Sequence, residues 1–78
     1  MITVYTLPNC TECRATKIAL RKQGIGFDEV DLSQDDEARA KVRDEWGFAS
    51  APVVSTPFDQ WSGFQPSKIK ELKNDLGA

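Results

Sequence analysis

Chemistry in this 78-residue chain points first to two residues, Cys10 and Cys13, separated by Thr11 and Glu12. The chain has no histidine. A bridge between cysteines this close closes a loop too small to staple a fold, because disulfide stabilisation grows with loop length. A Cys-x-x-Cys pair is also half of a structural zinc site, which takes four Cys or His ligands. The other half is missing, which leaves zinc only as a metal shared between two subunits. The reading that remains is a redox pair. The thiolate is the attacking species in disulfide exchange, and a free cysteine with pKa ~8.5 is mostly protonated at neutral pH. Cys10 falls at the N-cap or first position of a predicted helix, where unpaired N–H groups and the helix dipole stabilise a thiolate. It is therefore expected to be the nucleophile, with a lowered pKa. Cys13 lies in the first helical turn on the same face, more enclosed, and is expected to resolve. Glu12 opposes thiolate formation while Arg14 and Lys17 favour it, a balance expected of a reductant rather than a strong oxidant. The plainer reading is a first-turn acid with two solvated cations.

The elements that must position this pair are short. Ile2–Thr6 is rich in β-branched and aromatic residues and reads as a buried strand, broken by Leu7, Pro8 and Asn9. The helix after it spans Thr11 to about Gln23, with Ala15, Ile18 and Ala19 at helical spacing. Gly24 suits the position after its end, with Ile25 packing back. Phe27–Leu32 reads as a second strand. Ser33 and Asp36 resemble a capping box opening a helix to about Trp46, on which Ala38, Val42 and Trp46 share a stripe. Val53–Ser55 and a segment from Phe58 to Trp61 read as a hairpin turned at Thr56-Pro57. Pro66 opens a last helix carrying Ile69, Leu72 and Leu76, stopped by Gly77. The order β-α-β-α-β-β-α predicts one α/β domain over residues 1–78, a small mixed four-stranded sheet flanked by three helices. Chemistry in such sheets favours the carboxyl ends of parallel strands, and Cys10 follows the first strand.

Composition excludes several classes of function. Ten Lys and Arg against twelve Asp and Glu give a net charge of −2, without the basic excess that nucleic acid or an anionic membrane requires. No apolar run approaches the ~20 residues of a membrane span. The start, Met1 to Tyr5, lacks a basic region followed by an apolar stretch, so the expected location is cytoplasmic. No nucleotide-binding loop is visible, no bound cofactor is expected, and nothing demands more than a monomer.

Two further stretches stand out. Ala51-Pro52 opens a predicted strand where a missing N–H is tolerated, and on residues alone an ordinary trans proline fits. In Trp61-Ser62-Gly63-Phe64, the glycine permits a turn, and each aromatic is either core or an anchor for a docked partner.

Taken together, Cys10-Thr11-Glu12-Cys13 at a strand–helix junction, Ala51-Pro52-Val53-Val54, and Trp61-Ser62-Gly63-Phe64 followed by Pro66 resemble the thioredoxin superfamily on its glutaredoxin side. The likeness covers almost the whole chain and is strongest to the NrdH redoxins, which supply electrons to ribonucleotide reductase and are reduced by thioredoxin reductase. It implies a thioredoxin fold, a cis Ala51-Pro52 bond whose backbone binds a substrate chain beside the cysteines, and a partner-binding surface of Thr11, Glu12, Ala51, Pro52, Trp61, Ser62, Gly63 and Phe64. Glutathione-using relatives usually carry a lysine, an aromatic and an acidic pair where this chain has Leu7, Thr11-Glu12 and Phe64-Gln65-Pro66. Glutathione recognition would thereby lose charged partners. Thr11-Glu12 also departs from the Val-Gln commonest in NrdH redoxins. Two alternatives are a glutathione-dependent glutaredoxin and an Spx-like redox switch that binds RNA polymerase. The latter is suggested by the similar run from Tyr5 to Arg14, although that group carries a longer chain. A scaffold that does not use its thiols is the non-enzymatic reading.

Overall fold

The computed structural model describes residues 1–77, and side chains through residue 75. The elements are β1 (Thr3–Thr6), α1 (Thr11–Lys22), β2 (Asp28–Asp31), α2 (Asp36–Ala40) continuing as a π-helical turn (Lys41–Glu45), β3 (Val53–Ser55), β4 (Gln60–Ser62) and α3 (Pro66–Gly77). The expectations at Leu76 and beyond the end of α3 lie outside the described side chains. The sheet runs β2-β1-β3-β4. β1 pairs parallel with β2, and antiparallel with β3, which pairs antiparallel with β4. The expected order of elements and the mixed pairing are both present.

Alternation along the two central strands explains why helices cover both faces of the sheet. Val4 and Val54 face one side, joining Leu20, Trp61, Ile69 and Leu72 in a core beneath α1 and α3. Tyr5 and Val53 face the other, joining Leu32 and Val42, with Ala38 and Trp46 packed against them. β2 lies at an edge, and its Asp28, Glu29 and Asp31 are exposed.

Three local expectations need revision. The buried face of α1 is Cys13, Thr16 and Leu20, whereas Ile18 is 44% exposed. Thr16 tolerates full burial because its hydroxyl donates to the Glu12 carbonyl at 2.8 Å, so a polar residue joins the buried face; Ala19 packs against the core as expected, and Ile18 points away from it. α2 is capped by Asp35, whose carboxylate accepts from the Ala38 N–H at 3.0 Å. Ser33 instead donates, through N–H and hydroxyl, to the Asp31 carboxylate. The hairpin turns at Thr56-Pro57 as expected, but the Thr56 hydroxyl oxygen accepts from the Phe58 and Asp59 N–H groups, so Phe58 belongs to the turn and the second strand begins only at Gln60.

The end of α1 is as expected. Gly24, at φ +72°, donates to Arg21, and Ile25 donates back to Leu20 at 3.0 Å, closing the helix with a left-handed residue. No helix among the described residues is long and apolar enough to cross a membrane.

Candidate active site

β1 delivers the chain to the site, and Leu7–Asn9 turns it. Asn9 adopts φ +59°, a left-handed conformation that asparagine accepts more readily than most residues. The turn leaves Cys10 extended at the N-cap of α1, with φ −107° and ψ 109°. Its sulfur takes the place a serine or aspartate oxygen fills in ordinary caps, accepting from the Cys13 N–H at 3.1 Å. Cys10 and Cys13 are joined by a disulfide, their Cα atoms 5.2 Å apart. Cys10 is partly accessible, while Cys13 is only 2% exposed.

Two other segments converge on this pair. The Ala51-Pro52 bond is cis, and Pro52 is fully buried. The Pro52 carbonyl accepts from Gly63 N–H at 2.8 Å, and the Ser62 hydroxyl donates to the Ser50 carbonyl at 2.9 Å. The proline loop and the Ser62–Phe64 turn are thereby clamped together. Gly63, at φ +85°, directs the next N–H toward α1, where Phe64 N–H donates to Glu12 Oε1 at 3.3 Å. Thr11 and Glu12 are exposed, Ala51, Ser62 and Gly63 half-buried, and Phe64 is 37% exposed.

Trp61 departs from the expected partner surface. It is 5% exposed, paired across the sheet with Val54, and belongs to the core. On β4 the side chains of Trp61 and its neighbours must alternate faces, so the four-residue stretch is split between core and rim. The Ser50 carbonyl completes the clamp, and a lone serine in a loop carries no periodic signal that would reveal it.

Electrostatics beside Cys13 involve a partner that spacing does not reveal. Thr6, Cys13, Lys17 and Glu29 border one polar recess. Lys17 Nζ donates to Glu29 Oε2 at 3.0 Å, and the Thr6 hydroxyl to the same oxygen at 2.9 Å. The Lys17 bond chiefly holds the Glu29 carboxyl below its ordinary value, burial opposing and Thr6 assisting. The expected pull of Lys17 on the thiols is therefore offset by Glu29. On the other side of Leu7 lies an apolar groove of about 380 Å³, walled by Leu32, Val42, Phe48 and Ala51 with Arg39 at its edge.

A capped, partly accessible sulfur bonded to a buried one, beside a proline loop, is suited to exchanging its disulfide with another. Together with the β2-β1-β3-β4 sheet, this defines a thiol–disulfide oxidoreductase of the thioredoxin fold. Residues 2–56 match the Glutaredoxin family. The glutaredoxin-like protein NrdH of Lactococcus lactis is 39% identical over 72 residues, spanning 92% of this chain and 99% of that protein. The gene 56 protein of mycobacterium phage D29 is 39% identical, spanning 91% and 80%. The solved structure of the NrdH-redoxin from Escherichia coli aligns with a TM-score of 0.87 at 38% identity, covering 91% of this chain and 92% of that one. The chain belongs to the glutaredoxin family, among its NrdH-like members.

Proposed function

We propose that this protein is a dithiol electron carrier, reduced by a thioredoxin reductase that uses NADPH and oxidised by ribonucleotide reductase. The observation that carries the mechanism is the inequality of the two sulfurs: Cys10 is capped and reachable, whereas Cys13 is 2% exposed. The Cys10 thiolate attacks the target disulfide, forming a mixed disulfide and releasing one target thiolate. Cys13, deprotonated, then attacks the Cys10 sulfur and releases the second target thiolate. Two electrons pass to the target, and Cys10–Cys13 becomes the disulfide seen here. The choice of partners is supported by the NrdH relatives and by the thioredoxin-like activity profile ascribed to the Escherichia coli NrdH-redoxin.

The test supplies oxidised protein with NADPH and either thioredoxin reductase or glutathione plus glutathione reductase, and follows NADPH consumption. Turnover confined to thioredoxin reductase, followed by reduction of ribonucleotide reductase, is expected. Turnover confined to glutathione would instead assign an ordinary glutaredoxin. In a second measurement, Cys13→Ser should accumulate a mixed disulfide with ribonucleotide reductase. Trapping by Cys10→Ser instead would invert the two roles.

A further inference from the structure

We infer that Glu12 is a specificity-determining residue: its carboxylate occupies the Phe64 N–H beside the disulfide and thereby disfavours small disulfides that bear carboxylates. The inference rests on the dithiol-exchange reading of the site. Glu12 lies in the first turn of α1, where an acid is commonplace. Here, however, its side chain reaches across 52 positions of sequence to a backbone donor on another segment. Gly63 turns that donor toward α1, and a Cβ placed at Gly63 would meet Glu12 Oε1 at 3.9 Å, an ordinary contact. The Phe64 N–H beside the first turn of α1 marks a point that favours an anion. The chain fills that point with its own carboxylate.

A small disulfide carrying carboxylates that approaches Cys10 finds the donor taken and a negative charge in place. A protein disulfide that aligns its main chain along the proline loop does not need the Phe64 N–H. The bond is long and exposed, so the bias is modest.

Glu12→Gln removes the charge but keeps an oxygen able to accept from Phe64, whereas Glu12→Ala frees the donor. The reduced proteins are each mixed with oxidised glutathione, which is anionic, and with cystamine, a cationic disulfide without carboxylates. In either reaction one dithiol becomes the Cys10–Cys13 disulfide and one small disulfide becomes two thiols. The ratio of the two rate constants is expected to shift toward glutathione about fivefold in Glu12→Ala, and by less than half of that in Glu12→Gln. Equal shifts in both variants would reduce the effect to charge alone and overturn the occupancy proposal, as would no shift. Independently of exchange, the oxidised proteins are titrated with S-methylglutathione, which cannot react. The Phe64 amide resonance should move in Glu12→Ala and stay fixed in wild type. A fixed resonance in both overturns the proposal, even where the carrier reading stands. Should the wild type reduce no protein disulfide, the carrier reading falls while the amide titration still decides the role of Glu12.

Discussion

At the scale of single residues, the site depends on unequal partners of similar type. Cys10 and Cys13 were legible because two cysteines three apart leave few alternatives, and their inequality follows from placing one at a cap and the other inside the first turn. Alkylation of the reduced protein should show a Cys10 pKa below the ~8.5 of a free thiol, since its sulfur accepts a first-turn N–H. A pH profile of iodoacetamide reactivity centred at or above that value would contradict this. The two aromatics of the third motif were not separable in sequence, because either suits a core. Register decides: Trp61 is opposite Val54 on the inner face, and Phe64 lies beyond the strand. Trp61→Ala should therefore cost about 3–5 kcal/mol, with Trp61→Phe as a milder variant that still folds. Phe64→Ala, at a site 37% exposed, should cost much less. Urea unfolding midpoints check the comparison. The bond between Glu12 and Phe64 was invisible in sequence, since it exists only once α1 and the turn after β4 are brought together.

At the scale of elements, helical periodicity locates α1 and places Ala19 against the core, but it misplaces Ile18. Leu20→Ala, in the core, is expected to cost about 2–5 kcal/mol. Ile18→Ser, on a residue 44% exposed, should cost less than about 1 kcal/mol. Equal losses in thermal melts would restore the face that spacing suggested. The error arose because a threonine that bonds its own helix backbone behaves as a core residue while reading as polar. In α2, the sequence suggests a cap at Ser33, and the geometry places it two residues on, at Asp35. Asp35→Ala should lower stability by about 1 kcal/mol, measured against Ser33→Ala, which leaves the Asp35–Ala38 contact in place. The stripe of Ala38, Val42 and Trp46 is legible in the spacing, with Val42 in the second core and Ala38 and Trp46 packed against it. The π-helical turn carried no sequence signal; it ends with Trp46 N–H bonded to Lys41 at 3.2 Å and the Trp46 ring edge-on to Tyr5.

For the whole molecule, the order of strands and helices was legible because each element is short, periodic and bounded by Gly, Pro or Asn. The cis state of Ala51-Pro52 was not, and came only from family resemblance. Folding also builds an ion pair between α1 and the edge strand, Lys17–Glu29. Because this pair lowers the Glu29 pKa, its contribution is fully present above the ordinary value of 4.5 and is lost as pH falls through the lowered one. Glu29 is 40% exposed, so screening keeps the contribution under about 1 kcal/mol. Lys17→Met should lower the urea midpoint at about pH 7, and the gap from wild type should narrow toward about pH 3. A gap independent of pH would locate the role of Lys17 in its packing.

β2 has a further consequence. An open sheet ends in a strand whose outer N–H and C=O groups invite another chain to add on, a common route to aggregation. Here that strand is four residues long, and three of them, Asp28, Glu29 and Asp31, are exposed acids. Another copy joining edge to edge would bring like charges face to face across the new ladder. The same Glu29 that holds Lys17 thus also helps to keep identical molecules from zipping together, which matters for a protein whose proposed work is to meet one partner, let go and meet the next.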